Sequence, residues 1–186
     1  MNRFIKSAAS LSDCINDAKK EVCLIGRSNV GKSTIINGLA RSKIAHTSKT
    51  PGRTITINFY EINNRRIVDL PGYGYAKVNK VQKETITNFL SDYLNHRQNL
   101  AAIFQVLDLG VITDQDLDIT RLLASLGIEY YIVFNKIDKY PKSTYDNNKK
   151  KILDYLKVSE DRILLISAKQ QKNLNNLMLK ITDLIS

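Results

Sequence analysis

Gly26-Arg27-Ser28-Asn29-Val30-Gly31-Lys32-Ser33 decides the fold of this 186-residue chain. The stretch fits G-x-x-x-x-G-K-[ST], a pattern that is credible only between a strand and a helix. Both are expected here. Residues 21–25 form an apolar run that reads as a strand, and residues 32–40 carry helix-compatible spacing. Glycine lets the backbone wrap a phosphate without Cβ clashes. Amide N–H groups and the positive end of the following helix then hold the anion. The expected cradle is Gly26 to Ser33 with Thr34 after it. Lys32 would reach the β and γ phosphates of a nucleotide, and the Ser33 hydroxyl would ligate Mg²⁺.

On either side of this stretch, apolar β-rich runs alternate with helical periods along nearly the whole chain. The expected strands span residues 21–25, 54–62, 65–70, 101–107, 129–134 and 162–166. The expected helices span 32–40, 81–95, 116–126, 143–156 and 173–185. Asn63-Asn64 is turn chemistry between the second and third strands, which should form a hairpin. Such alternation predicts an α/β, three-layer P-loop fold, with a mostly parallel six-stranded sheet and one antiparallel strand. In sheets of this kind ligands bind outside the carboxyl ends of the strands. Residues 1–20 read as a polar lead-in, a short helix or a partly ordered segment, and residues 21–186 as one nucleotide-binding domain.

Three further patterns fall at those strand ends. Asp69-Leu70-Pro71-Gly72 closes the third strand in D-x-x-G form. Asp69 suits the second shell of Mg²⁺, and the Gly72 N–H suits γ-phosphate sensing. Asn135-Lys136-Ile137-Asp138 follows the fifth strand. The Asp138 carboxylate can accept from guanine N1–H and from its exocyclic amine. Adenine lacks that donor pair and would leave a buried charge unpaired. Lys136 would lie along the base plane, and Asn135 would tie loops together. Ser167-Ala168-Lys169 offers backbone N–H groups for guanine O6. A loop threonine is also needed to complete the Mg²⁺ shell. Thr47, Thr50 and Thr54 are candidates, and Thr54 is favoured by the Pro51-Gly52 turn before it. Lys32, Thr54 and Gly72 form the expected catalytic set.

Composition bounds the rest. No apolar run approaches the roughly 20 residues needed to cross a bilayer, and residues 1–10 lack a secretory-signal pattern. The expected compartment is the cytoplasm. Cys23 reads as a small buried hydrophobe, and two cysteines and two histidines scattered along the chain suggest no zinc site. The net charge of +10 favours polyanionic partners, RNA above all, although coding bias toward Lys, Asn and Ile would also raise it. His46 reads as solvent-exposed.

Taken together, the P-loop stretch, Thr50-Pro51-Gly52-Arg53-Thr54 and Asp69-Leu70-Pro71-Gly72-Tyr73-Gly74-Tyr75-Ala76-Lys77-Val78 closely resemble the EngB family of bacterial GTPases, also called YihA or YsxC. The resemblance covers roughly residue 10 to the end. It implies GTP and GDP as ligands, Mg²⁺, one domain, a role in assembling the large (50S) ribosomal subunit on its rRNA, and a link to cell division and septation. No membrane partner and no DNA are expected, and a monomer is expected. Asn135 departs from the Thr that many members carry. Asn29 stands where similar GTPases coordinate K⁺, which implies K⁺-stimulated hydrolysis.

Hydrolysis needs a water in line with the γ-phosphate. Many small GTPases place Gln after the D-x-x-G glycine; here that residue is Tyr73. A partner, another loop residue or a monovalent cation would have to serve, and slow turnover is expected. Arg53 is better read as an exposed loop cation or RNA contact than as a charge donor to the reaction. γ-Phosphate would order the two loops, residues 42–54 and 71–80. Tyr73, Tyr75, Lys77 and Lys80 suit RNA bases and phosphates, the alternative being that the tyrosines pack on the domain.

Overall fold

The computed structural model describes residues 1–45, 56–74, 80–156 and 159–185. Seven strands form one sheet: β1 (Arg3–Ala8), β2 (Glu21–Gly26), β3 (Ile57–Ile62), β4 (Arg65–Asp69), β5 (Leu100–Asp108), β6 (Glu129–Asn135) and β7 (Ile163–Leu165). Their order is β1-β3-β4-β2-β5-β6-β7. All neighbours from β4 to β7 pair in parallel, whereas β3 runs antiparallel to both β1 and β4. The helices are α1 (Lys32–Ala40), α2 (Lys80–His96), α3 (Asp114–Ala124), α4 (Lys142–Leu156) and α5 (Leu174–Leu184).

Apolar positions explain the three layers. Strand β2 is buried at every residue, because parallel strands are covered on both faces. Its alternating side chains split between two cores. Val22 and Leu24 join Ile35, Leu39, Leu177 and Ile181 under α1 and α5. Cys23 and Ile25 join Phe89, Tyr93, Leu123 and Ile152 under α2, α3 and α4. Asn63 and Asn64 both adopt positive φ, 49° and 60°, which a two-residue type I′ turn requires. Ile62 and Arg65 consequently face each other across the hairpin.

The sheet has one strand more than the six expected. The segment read as a helical or partly ordered lead-in begins with β1, an edge strand on β3. Its burial pattern is mostly exposed, with only Ala8 fully buried, so it carries little of the alternation by which strands are recognised. Polar contacts hold the segment between β1 and β2. Arg66 donates twice to Asp17, at 2.6 and 2.8 Å, and those bonds draw the Asp17 carboxyl down to about 2. A depressed carboxyl stabilises the fold at full strength above pH ~4, and that contribution is lost as pH falls through its folded value. Glu21 is fully buried and receives Arg97 Nε at 2.8 Å, Arg97 Nη2 at 3.0 Å and the Tyr93 hydroxyl at 2.7 Å. Arg97 also donates to the Ile15 carbonyl at 2.7 Å.

Removing one partner of a buried pair leaves the other charged and unsolvated. Arg97→Met is therefore expected to destabilise the protein by about 3–5 kcal/mol, whereas Asp17→Asn, which replaces a half-exposed carboxylate and leaves an amide oxygen facing Arg66, should cost less. Urea unfolding of both variants measures the contrast. Equal losses would contradict this division of roles.

Candidate functional site

The parallel strands deliver their carboxyl ends to one edge. Gly26 ends β2, Asp69 ends β4, Asn135 ends β6, and Ser167 lies two residues beyond β7. The P-loop turns at Asn29 and Gly31, with φ of 65° and 107°. Gly31 caps α1 and lies so close to Asn135 that a Cβ there would overlap its amide. Internal bonds take up two loop N–H groups. Val30 N donates to the Arg27 carbonyl at 3.3 Å, and Ser28 N to the Tyr73 carbonyl at 3.2 Å. Among the described residues, the N–H groups of Asn29 and of Gly31 to Thr34 remain to face an anion.

Lys32 is folded back into this loop. Its ammonium donates to the Gly26 carbonyl at 3.3 Å and stands 4.0 Å from Asp69 Oδ1. Burial lowers its pKa, with Asp69 opposing. Asp69 shows the mirror effect. Burial raises its pKa, against the pull of Lys32 and a hydrogen bond from Ser33. Asp69 Oδ1 is buried yet accepts no hydrogen bond among the described residues. An unsatisfied carboxylate oxygen beside a serine hydroxyl is an all-oxygen donor set, which suits Mg²⁺.

Asn135 joins three loops. Its Nδ2 donates to the Val30 carbonyl at 2.9 Å, and its Oδ1 accepts from Ala168 N at 3.0 Å. Lys136 follows in the left-handed region, φ 68°, which swings its side chain back over the P-loop. Its ammonium meets the Asn29 carbonyl at 3.2 Å and Asp108 Oδ2 at 2.6 Å. Ile137 and Asp138 open a short 3₁₀ turn. The Ser167 hydroxyl donates to Asp138 Oδ1, and that bond lowers the carboxyl's pKa. In the Ser167-Ala168-Lys169 loop, Ser167 N donates to the Lys172 carbonyl and Ala168 N to Asn135. Among the described residues, the Lys169 N–H is the one left over of the three.

The structure also turns two expected residues elsewhere. The Arg27 side chain leaves the phosphate cradle for α3, donating to Asp116 at 3.0 Å and to the Val111 carbonyl at 2.7 Å. The Tyr73 hydroxyl donates to Asp116 at 2.8 Å and accepts from Gln105 at 3.0 Å. Tyr73 thus packs on the domain and is not displayed for RNA. Leu70 and Pro71 are buried, and Gly72 packs against the backbone of Gly26 and Ser28. His46, Thr47, Thr50, Gly52, Arg53 and Thr54 lie outside the described residues, as do Tyr75, Ala76, Lys77 and Val78.

Asp108 is a site residue that motif reading passed over. It ends β5 at the same sheet edge as the four motifs, and that position was the available signal. Burial would raise its pKa, but bonds from Lys136 and the Gly110 N–H lower it. Asn37 was missed as well. Its amide accepts from Ile44 N and Ala45 N at 2.9 and 2.8 Å, fixing the chain just before residues 46–55.

This edge, with a P-loop, an Asp-ended β4 and a second loop carrying Asn-Lys-x-Asp, defines a P-loop nucleotide-binding domain of the GTPase class. Comparison with known proteins agrees. Residues 21–136 match the family model described as 50S ribosome-binding GTPase. "Probable GTP-binding protein EngB" of Mycoplasmoides gallisepticum is 79% identical over 186 residues, all of both chains. Its namesake from Mycoplasma pneumoniae is 47% identical over 98% of this chain and 94% of its own. A crystal structure of a probable GTP-binding protein engB superposes with a TM-score of 0.74 at 27% identity, covering 89% of this chain and 98% of that one. Era, solved in complex with MgGDPNP and nucleotides of 16S ribosomal RNA, gives 0.72 at 25% identity, covering 91% and 57%. The chain belongs to the EngB family of GTP-binding proteins.

Asn135→Ala would leave the Val30 carbonyl and the Ala168 N–H without partners. It is expected to lower nucleotide-free stability by about 1–3 kcal/mol per orphaned group, measured by urea unfolding. A loss below the lower figure would mean that other contacts join these loops.

Proposed function

We propose that this protein is a slow GTPase switch, acting in the cytoplasm as a monomer, that assists assembly of the large (50S) ribosomal subunit. One observation carries the nucleotide half of this reading. A single side chain, Asn135, holds the P-loop to the Ala168 backbone, and the adjacent Ser167 hydroxyl holds the Asp138 carboxylate.

In this reading the N–H groups of residues 29 and 31–34 take the phosphates. Lys32, held in reserve on the Gly26 carbonyl, turns to the β and γ phosphates, whose charge restores the proton affinity that burial costs it. Ser33 and Thr54 would hold Mg²⁺, supported by Asp69, which accepts from the Ser33 hydroxyl. The ion neutralises phosphate charge when bound. Asp138 is already deprotonated and aimed by Ser167, so it receives guanine N1–H and the amine without reorganising. Lys136 has its ammonium pinned by Asp108 and the Asn29 carbonyl, and its stem forms a flat apolar support for the base. The Lys169 N–H takes guanine O6, the other two N–H groups of its loop being engaged.

Hydrolysis is slow because Tyr73 cannot orient a water. Its hydroxyl is engaged by Asp116 and Gln105, and burial raises its pKa. Asn29 would hold K⁺ beside the phosphates, where the ion would supply the missing positive charge. Turnover should therefore be faster in K⁺ than in Na⁺ at matched ionic strength, and equal phosphate release in the two salts would remove the cation from the mechanism.

The ribosomal half rests on the EngB relatives, on the family description, and on a net charge of +10. A role in septation follows from the family resemblance and is secondary to it. Pelleting with purified large subunits tests the switch directly. More protein should co-sediment with a non-hydrolysable GTP analogue than with GDP, and the difference should shrink steeply with salt, as phosphate contacts do. Equal recovery with both nucleotides would contradict the switch.

A further inference from the structure

Asp116 lies outside every nucleotide-binding motif, in the first turn of α3, and is 1% exposed. Its carboxylate nevertheless gathers contacts from both phosphate-side loops. Arg27 Nε, from the P-loop, reaches it at 2.9–3.0 Å. The Tyr73 hydroxyl, from the residue after the D-x-x-G glycine, reaches it at 2.8 Å. The Thr113 N–H and hydroxyl donate to the other oxygen at 2.9 Å each, completing the α3 capping box. Gln105 on β5 closes the cluster, donating to the Tyr73 hydroxyl at 3.0 Å and to the Asp116 carbonyl at 3.2 Å. A buried carboxylate with this many donors has one arrangement and little freedom.

The backbone repeats the connection. Tyr73 N donates to the Gly26 carbonyl at 3.3 Å, and Ser28 N returns a bond to the Tyr73 carbonyl at 3.2 Å. Gly72 is thereby held against the start of the P-loop. A Cβ on it would stand 3.0 Å from both the Gly26 carbonyl and Ser28 N. Gly74, at φ 80°, passes close to Gln115 of α3 and the Arg27 stem. The chain from Gly72 to Gly74 is therefore gripped between the P-loop and α3.

We infer that Asp116 is a positioning residue for GTP recognition: with Arg27 it anchors Tyr73, and through Tyr73 it sets Gly72 where a γ-phosphate arrives. The inference rests on the guanine-nucleotide reading above. It also gives Tyr73 a role, since its hydroxyl serves as the anchor point in place of chemistry on water. Because GDP has no γ-phosphate, the anchor contributes to GTP affinity and not to GDP affinity.

Two variants test it in the full chain. Asp116→Asn keeps the shape and an acceptor for Thr113 but removes the charge that pairs with Arg27. Tyr73→Phe removes only the hydroxyl. Equilibrium titrations with fluorescent GDP and with a fluorescent non-hydrolysable GTP analogue, both in Mg²⁺, give the readout. Each variant should bind the GTP analogue at least about 5-fold more weakly while GDP affinity stays within about 2-fold. The double variant should be no weaker than about the worse single one, because both act through one contact. Equal weakening for both nucleotides would reduce Asp116 to a structural cap, and an unchanged ratio would overturn the inference. Failure of the unsubstituted protein to bind GDP would instead overturn the guanine-nucleotide reading.

Discussion

The site depends on one buried amide. Asn135 sits at the end of β6, one strand in from the sheet edge, 3% exposed, and its single side chain gives its acceptor to one loop and a donor to another. Parallel strands alone bring loops to a common edge but do not fix their spacing. Here the spacing is set by two hydrogen bonds of 2.9 and 3.0 Å and by the absence of a side chain at Gly31. Glycine at that position is required twice, once by its φ of 107° and once by the amide pressed against it. The P-loop and the Ser167-Ala168-Lys169 loop are consequently tied through one side chain.

Electrostatics divides along the same edge. Asp69 and Lys32 are both buried, and each is pushed toward its neutral form. Asp138 is near the surface and is held ionised by a serine hydroxyl. The P-loop half of the edge thus holds two charges that burial opposes, whereas the Asp138 half holds its charge with a hydrogen bond.

Most of the fold was legible because its strands and helices carry strong periodic signals. Strand β2 and its loop carried the topology, and all five helices lie where their spacing placed them, to within a turn. What sequence could not supply was of two kinds. Strand β1 is exposed on most positions, so it has no apolar alternation to betray it. Asp108, Asn37, Gln105 and Asp116 act largely through partners distant in sequence, as far as 89 residues away, and no spacing rule connects the distant pairs. Tyr73 illustrates the limit well. Its place after Gly72 marked it as important, but only the folded chain shows its hydroxyl turned toward α3 and away from the phosphates.

Strand β1 also has a consequence for how the molecule behaves among its copies. Without it, β3 would end the sheet as a run of six residues, INFYEI, four of them buried, with its outer backbone groups unpaired. A strand of that composition invites another chain to add to it. Strand β1 occupies that edge and is itself a poor template. Its register with β3 shifts between Phe4 and Lys6, and it carries Arg3 and Lys6. An irregular, positively charged rim repels its own kind, so the short N-terminal strand shields the apolar strands behind it from edge-to-edge pairing.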